Sequence, residues 1–389
     1  MTAQVSMQAG AGFVVPRGGA PRPADPADTT ATEALSLRSP ADTLARTDEL
    51  LEQVCDRLEA QWRERSPEEP DVLPADFPQL LRAWLLPTAG KRLRPLMCHW
   101  GWAAAHGPER GGHDDLVAMC AALELVHLFA LVHDDVMDRS DSRRGRTTTH
   151  VEAARAHVAF GGLGDPVLFG DSIAILYGDL ALNEAWDLAA GCAPPLRRAW
   201  SDMLRELVHG QLLDVTGAAA RRRDLEMARR VARLKSGAYT VQRPLHLGAL
   251  AARAEPPALT ALDVYGAHLG EAFALRDDIL GVWGDPARTG KPVGDDLLSG
   301  KPTVLLAEAR EALPADLAEQ HLGGQGAITP ETVPVLQDLM REAGVLRRTE
   351  QRIADEVELA CRALDAGDLD TDAVAELRSL AELIAWRDS

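Results

Sequence analysis

The chain has 389 residues, 46% of them hydrophobic and 26% charged, the profile of an ordinary globular protein with material for one large core or two smaller ones. Its formal charge is −18, which argues against a nucleic-acid partner, because a phosphate backbone needs a basic face. Five scattered cysteines without CxxC spacing read as reduced thiols in a cytoplasmic protein, and the N-terminus lacks the basic and apolar regions of a secretory signal.

Residues 1–40 are rich in Ala, Pro, Gly and Thr and show no periodicity, so they are expected to be a disordered tail. The remainder, 41–389, is assigned to one domain. An amphipathic helix is expected from Ala41 to Arg65, ended by SPEEP, and a shorter one over Phe77–Leu86. AGKRLRP follows at 89–95. Pro95 suits the first turn of a helix, so Lys91, Arg92 and Arg94 would stand at a helix N-terminus, where the dipole and free N–H groups favour an anion.

After a helix over Arg94–His106 comes the most informative stretch, Leu123–Thr147, LELVHLFALVHDDVMDRSDSRRGRT. In one helix over 116–138, a 3.6-residue period stacks Asp138 on Asp134 and puts His127 on the same stripe. Two carboxylates one turn apart on an apolar helix repel each other and lose hydration unless a cation joins them. Mg²⁺ does so while keeping sites for phosphate oxygens, and the guanidinium forks of Arg143 and Arg144 suit the same ligand. The apolar run is not read as a membrane span, because Glu124, His127 and His133 interrupt it.

Helical patterns continue over Thr149–Ala159, Leu168–Ala190, Pro195–Ala219, Arg223–Arg253 with a break near Gly237, and Pro257–Trp283. Gln211 and Asp214 form a polar patch on one of these helices, readable equally as helix–helix hydrogen bonding. A second acidic cluster, LRDDILGVWGD, closes the last of them and brings in Asp277 and Asp278. The loop after it, PARTGKPVGDDLLSGKP, is placed to close over whatever that cluster binds. Thr303–Trp386 reads as four or five further helices. No run of β-branched residues in strict alternation is evident. The fold class is therefore all-α, with long helices around a central cavity. Of 41 basic residues only four are lysine, Lys91, Lys235, Lys291 and Lys301, and each sits in a Gly-, Pro- or Ser-containing segment beside other phosphate-competent groups.

These motifs, GKRLRP, HDDVMD with RRG, and RDDILGVWGD, resemble in order those of the trans-isoprenyl diphosphate synthases, the polyprenyl synthetase family. The resemblance covers 41–389 and is most like a geranylgeranyl diphosphate synthase. It implies an all-helical homodimer that condenses isopentenyl diphosphate with an allylic diphosphate, using about three Mg²⁺ ions per site. Carried over by position, Asp134, Asp138 and Asp277 would hold metal. Asp134, Asp135, Asp138, Lys235, Asp277 and Asp278 would form the catalytic set. Lys91, Arg94, His127 and Arg144 would bind isopentenyl diphosphate, and Arg143, Lys235, Ser236, Lys291 and Lys301 the allylic diphosphate. Phe129 and Ala130 would bound the growing chain: with an aromatic only at the position five before Asp134, the family resemblance implies a twenty-carbon product. Two departures stand out. Ala274 occupies a position usually held by Gln, and Gly281 one often held by Asp. A farnesyl diphosphate synthase is the alternative, and a class I terpene cyclase, which needs only one diphosphate site, is a more distant one.

Overall fold

The computed structural model describes residues 39–65, 72–73, 75–86, 91–143, 145–220, 224–285, 294–298, 301, 303–323 and 328–387. The expected tail thus lies outside the described residues, apart from Ser39 and Pro40. The described residues open with five helices: α1 (Pro40–Arg65), α2 (Phe77–Leu85), α3 (Leu93–Ala104), the single turn α4 (Gly107–Arg110) and α5 (His113–Asp138). A two-residue ladder, β1 (Ser142–Arg143) with β2 (Arg146–Thr147), closes the arginine loop. This hairpin is too short to show as alternation in the sequence. Then come α6 (Thr149–Phe160), α7 (Pro166–Ala190), α8 (Pro194–Ala219) and α9 (Leu225–Val231). A π-helix (Ala232–Gln242) leads into α10 (Arg243–Ala251) and α11 (Pro256–Trp283).

Of the loop after the second acidic cluster, the short α12 (Asp295–Leu298) is described. The chain ends in α13 (Val304–Ala312), α14 (Ala315–Ala318), a second π-helical turn (Glu319–Gly323), α15 (Val333–Glu342), α16 (Val345–Ala363) and α17 (Thr371–Ala385). The expected class, all-α, is what forms.

The organising element is α5. Met119 to Val126 are buried without interruption, so this helix is apolar all round and sits inside, as such helices do. It packs on α7, α3 and α1, while α11 packs on the first π-helix and on α16. Helix α5 is long and apolar enough to cross a membrane by length and composition, yet 61% of its most apolar window is buried within the fold. Its end is fixed by Arg139, which takes the left-handed conformation at φ 55°. The Ser140 N–H reaches back to the Asp135 carbonyl at 3.0 Å, a Schellman-type closure with a non-glycine residue. The guanidinium of Arg139 is held on Asp171, with Nη1 2.7 Å from both carboxylate oxygens. The acids of α5 are therefore presented from a helix end that is terminated sharply.

The break expected near Gly237 is a change of helix type. Residues 232–242 close i→i+5 hydrogen bonds, and the chain remains helical throughout. Two glycine contacts accompany this wider helix. A Cβ on Gly237 would lie 2.5 Å from the Gly270 carbonyl oxygen of α11, and one on Gly210 would lie 2.6 Å from the Lys235 amide nitrogen. Only bare backbone permits α8 and α11 to come this close on either side, and it is between them that Lys235 is carried.

Candidate active site

Four carboxylates and three cations gather where the end of α5 meets α8, the π-helix and the segment before α13. The Lys235 ammonium donates to Asp134 Oδ1 at 3.0 Å and to Asp214 Oδ2 at 2.6 Å. Gln211 Nε2 donates to the same Asp134 oxygen at 3.1 Å. Arg143 donates through Nε to Asp135 Oδ1 at 2.8 Å and stands 3.8 Å from Asp134 Oδ2. The Lys301 ammonium donates to Asp138 Oδ2 at 2.5 Å. The one-turn spacing of Asp134 and Asp138 places both toward this cation set, with Asp135 turned to Arg143.

Charge states follow from these contacts. Burial alone would raise the Asp134 carboxyl, but Lys235, Lys301 and Arg143 outweigh it and hold Asp134 below the usual carboxylate range. Burial pushes Asp135 up, and Arg143 only partly opposes it. The Lys235 ammonium would be pulled down by burial, yet Asp134 and Asp214 keep it above its ordinary value. Lys235 and Asp134 thus stabilise one another in the charged form.

The second acidic cluster makes separate contacts. Asp278 Oδ2 accepts from the Val304 amide at 3.1 Å, at the first residue of α13. Lys301, on Asp138, lies three residues before that amide, so the two acid clusters converge on one short segment. Asp277 Oδ1 accepts from Arg387 Nη2 at 2.9 Å. The Arg387 guanidinium lies 4.1 Å over the Phe273 ring and also reaches the backbone carbonyls of Ile384 and Phe273 at 3.1 and 3.4 Å.

Arg94, in the first turn of α3, packs against the π-helix. Its guanidinium lies 4.2 Å over the Tyr239 ring and donates to Thr240 Oγ1 at 3.0 Å. Both partners are on the π-helix, four and five residues beyond Lys235. Arg94 Nε and the Tyr239 hydroxyl are buried without a hydrogen-bond partner. Arg92 stands at the N-terminus of α3 as expected, but its guanidinium is engaged by carboxylates. It adopts φ 46° and turns inward, donating to Glu124 at 2.8 Å, Asp48 at 3.0 Å and the Leu85 carbonyl at 2.6 Å. Lys91 is exposed at the foot of α3, and Ser236 is half-buried beside Lys235. His127 lies 5.9 Å from Trp84 between ring centroids. Phe129 lies against His133 with the two rings tilted, and Ala130 is half-buried. Ala274 is buried within α11. Arg144 and Lys291 lie outside the described residues.

The sequence left Gln211 and Asp214 as an undecided polar patch; both belong to this cluster. Arg387 was not singled out, and only its 110-residue separation from Asp277 hides the pairing. Two cavities of about 490 and 510 Å³ lie elsewhere. One is on the α8–α10 surface by Arg198, Glu206 and Arg243, the other by His150, Val158 and Val167.

Among the described residues no group of three or more His, Cys, Asp or Glu is set to hold a metal ion. The donor set is instead a pair of aspartates one turn apart, with Asp134 held ionised. That fits Mg²⁺, which takes one or two carboxylates and completes its shell with water and substrate phosphate oxygens.

A polyprenyl synthetase family model matches residues 80–340. Farnesyl diphosphate synthase of Mycobacterium tuberculosis is 36% identical over 219 residues, 55% of this chain and 55% of that one, so the chain spans about half the length of this relative. Geranylgeranyl diphosphate synthase of the same organism is 33% identical over 311 residues, 77% of this chain and 81% of its own. The crystal structure of geranylgeranyl pyrophosphate synthase from Corynebacterium glutamicum, complexed with isoprenyl diphosphate and magnesium, superposes with a TM-score of 0.81. It shares 37% identity and covers 90% of this chain and 99% of its own.

Proposed function

The chain belongs to the polyprenyl synthetase family, and on that premise we propose that it is a trans-prenyltransferase. It extends an allylic diphosphate with isopentenyl diphosphate, and its main product is geranylgeranyl diphosphate. The observation that carries this reading is one group of cations on the acid cluster and a further arginine, Arg94, engaged separately. Lys235, Lys301 and Arg143 face Asp134 and Asp138, while Arg94, on α3, is held against Tyr239 and Thr240 of the π-helix. Two separated cation sets suit two diphosphates, where a terpene cyclase would need one.

In this reading Lys235, Ser236, Arg143, Lys291 and Lys301 grip the allylic diphosphate, and Lys91, Arg94, His127 and Arg144 the isopentenyl diphosphate. Asp134, Asp138 and Asp277 would hold Mg²⁺, which supplies the positive charge that neutralises the leaving diphosphate. The Lys235 ammonium, kept charged by Asp134 and Asp214, is already in place to receive diphosphate oxygens. The allylic C–O bond breaks with its electron pair leaving on the diphosphate. The isopentenyl double bond supplies the pair for the new C–C bond, and a proton is then lost from the adduct. Apolar walls exclude water that would quench the carbocation.

Product length is assigned to Phe129 and Ala130. Ala130 shares the Asp134 face and leaves the nearer wall open, while Phe129, about 100° round the helix, fills the offset wall. Farnesyl diphosphate is the second reading, favoured by the likeness to the mycobacterial farnesyl diphosphate synthase. We further propose that the enzyme acts in the cytoplasm as a homodimer. A second copy would cover the apolar side chains that α7 exposes at Leu168, Ile175 and Leu176.

The test is product analysis with labelled isopentenyl diphosphate and a series of allylic primers, with Mg²⁺ and with EDTA. Elongation that stops at twenty carbons and needs the metal is expected. No elongation with any primer, or a cyclic hydrocarbon from a single diphosphate, would overturn the reading.

A further inference from the structure

The wall assigned to Phe129 is backed by a second side chain. His133 follows it by one turn of α5, and the two rings stand 4.6 Å apart between centroids at 60°. The imidazole is itself anchored across the helix interface. Its Nε2 lies 3.1 Å from the Ile175 carbonyl oxygen of α7 and 3.7 Å from Asp179 Oδ1. Both neighbours are acceptors, so Nε2 carries the proton and donates. The space for the ring comes from Gly178. A Cβ there would lie 2.4 Å from His133 Cδ2 and 2.5 Å from Nε2, so the imidazole fills the notch that a missing side chain leaves in α7. With 16% of its side chain exposed, His133 has little room to swing away.

We propose that His133, clamped between the Ile175 carbonyl and the Gly178 notch, is a positioning residue for product length. It holds the Phe129 ring in one orientation across the path of the growing isoprenoid. The proposal rests on the reading of Phe129 as the wall and adds what keeps that wall in place. A phenylalanine alone at this position could turn about χ1 when pushed by a lengthening chain. Backed by a ring that is hydrogen-bonded to the neighbouring helix, it cannot turn without breaking that contact. His133 need not touch the substrate for this, and its effect reaches product length only through Phe129.

The experiment compares product-length distributions at fixed primer for Phe129→Ala, His133→Ala, His133→Gln, Gly178→Ala and the Phe129→Ala/His133→Ala double variant. Length distribution is read per product formed, so a loss of turnover or stability alone does not move it. His133→Ala should raise the share of products beyond twenty carbons roughly two- to tenfold, the range expected for losing an aromatic pair, and by less than Phe129→Ala. His133→Gln, whose amide N–H reaches the same carbonyl, should keep most of the unmodified distribution. Gly178→Ala displaces the imidazole from the other side and should lengthen products as His133→Ala does, which covers the case in which His133→Ala does not fold. The double variant should match Phe129→Ala. If Phe129→Ala lengthens products while His133→Ala and Gly178→Ala do not, the clamp is wrong and the wall stands. If Phe129→Ala changes nothing, the wall falls and the clamp with it. An additive double variant would show His133 acting independently of Phe129 and would also overturn the proposal.

Discussion

Asp134→Asn is the sharpest perturbation of the cluster, because it is isosteric and removes one charge. Asp134 meets Lys235 at 3.0 Å. At an effective dielectric near 20 the gross attraction over that distance is about 5–6 kcal/mol, most of which is offset by the hydration both groups lose. The net value of a charge-assisted hydrogen bond is about 1.5–3 kcal/mol. Asparagine recovers part of this, since its amide oxygen still accepts from Lys235, and Lys235 keeps Asp214 at 2.6 Å. The fold should therefore lose no more than about 2 kcal/mol, a shift of a few degrees in Tm. Turnover should respond very differently. An amide is a poor ligand for a hard divalent ion, so losing this carboxylate should slow the reaction by about a thousandfold, or about 4 kcal/mol. Thermal melts beside steady-state assays in saturating Mg²⁺ separate the two effects. Turnover within tenfold of the unmodified enzyme would refute the assignment of Asp134 to metal, and a collapse of the melt would show that its role is structural.

Arg94→Ala should raise KM for isopentenyl diphosphate by about tenfold or more and leave the allylic partner nearly unaffected, while Lys235→Ala does the reverse; equal effects on both substrates would show the cation sets to be one. Lys235→Ala also removes the largest cationic influence that opposes burial at Asp134, so the acid limb of its pH–rate profile should move to higher pH. His99, buried and hydrogen-bonded to Thr43 at 2.8 Å, has its pKa lowered to about 4 by burial. The unfolded chain therefore takes up the proton first, and stability that is fully present above pH 6.5 falls as pH drops toward 4, by up to about 3 kcal/mol. Urea unfolding across that window should show the slope, and His99→Gln should flatten it. Gly237→Ala drives a methyl to 2.5 Å from the Gly270 carbonyl oxygen and should destabilise the fold by about 1–3 kcal/mol, measurable by urea unfolding; an unchanged midpoint would mean that the π-helix does not need this contact.

The fold was legible because its helices announce themselves locally. α5 shows as an apolar run that ends in acids, and α1, α7, α8 and α11 as 3.6-residue patterns bounded by Pro and Gly. The stacking of Asp134 on Asp138 needs only the helical repeat. What could not be read is what tertiary contact decides. Arg92 and Arg94 have the same chemistry two residues apart. The left-handed turn at Arg92 sends one guanidinium to Glu124 and leaves the other over Tyr239. Residues 232–242 have no sequence marker that separates i→i+5 from i→i+4 closure. That choice is made with Gly210 on one side and Gly270 on the other, neither of them close in the sequence. Asp277 finds Arg387 only after α17 has folded back.

The charge balance of the cluster bears on why an acidic protein would handle anionic substrates. Asp134, Asp135, Asp138 and Asp214 face Lys235, Lys301 and Arg143, so the carboxylates outnumber the cations by one. A diphosphate adds several more negative charges, and like charges in a partly desolvated site repel strongly. The cations already present are engaged by carboxylates, so they can turn to a diphosphate only if something else compensates the acids they leave. Divalent ions that arrive with the diphosphate would do both, meeting the freed carboxylates and the phosphate oxygens together. On this reading the ion pairs seen at Asp134 and Asp138 hold the acids in place, and those at Asp134 also keep it in the charged form, so that little rearrangement is needed when substrate and metal bind.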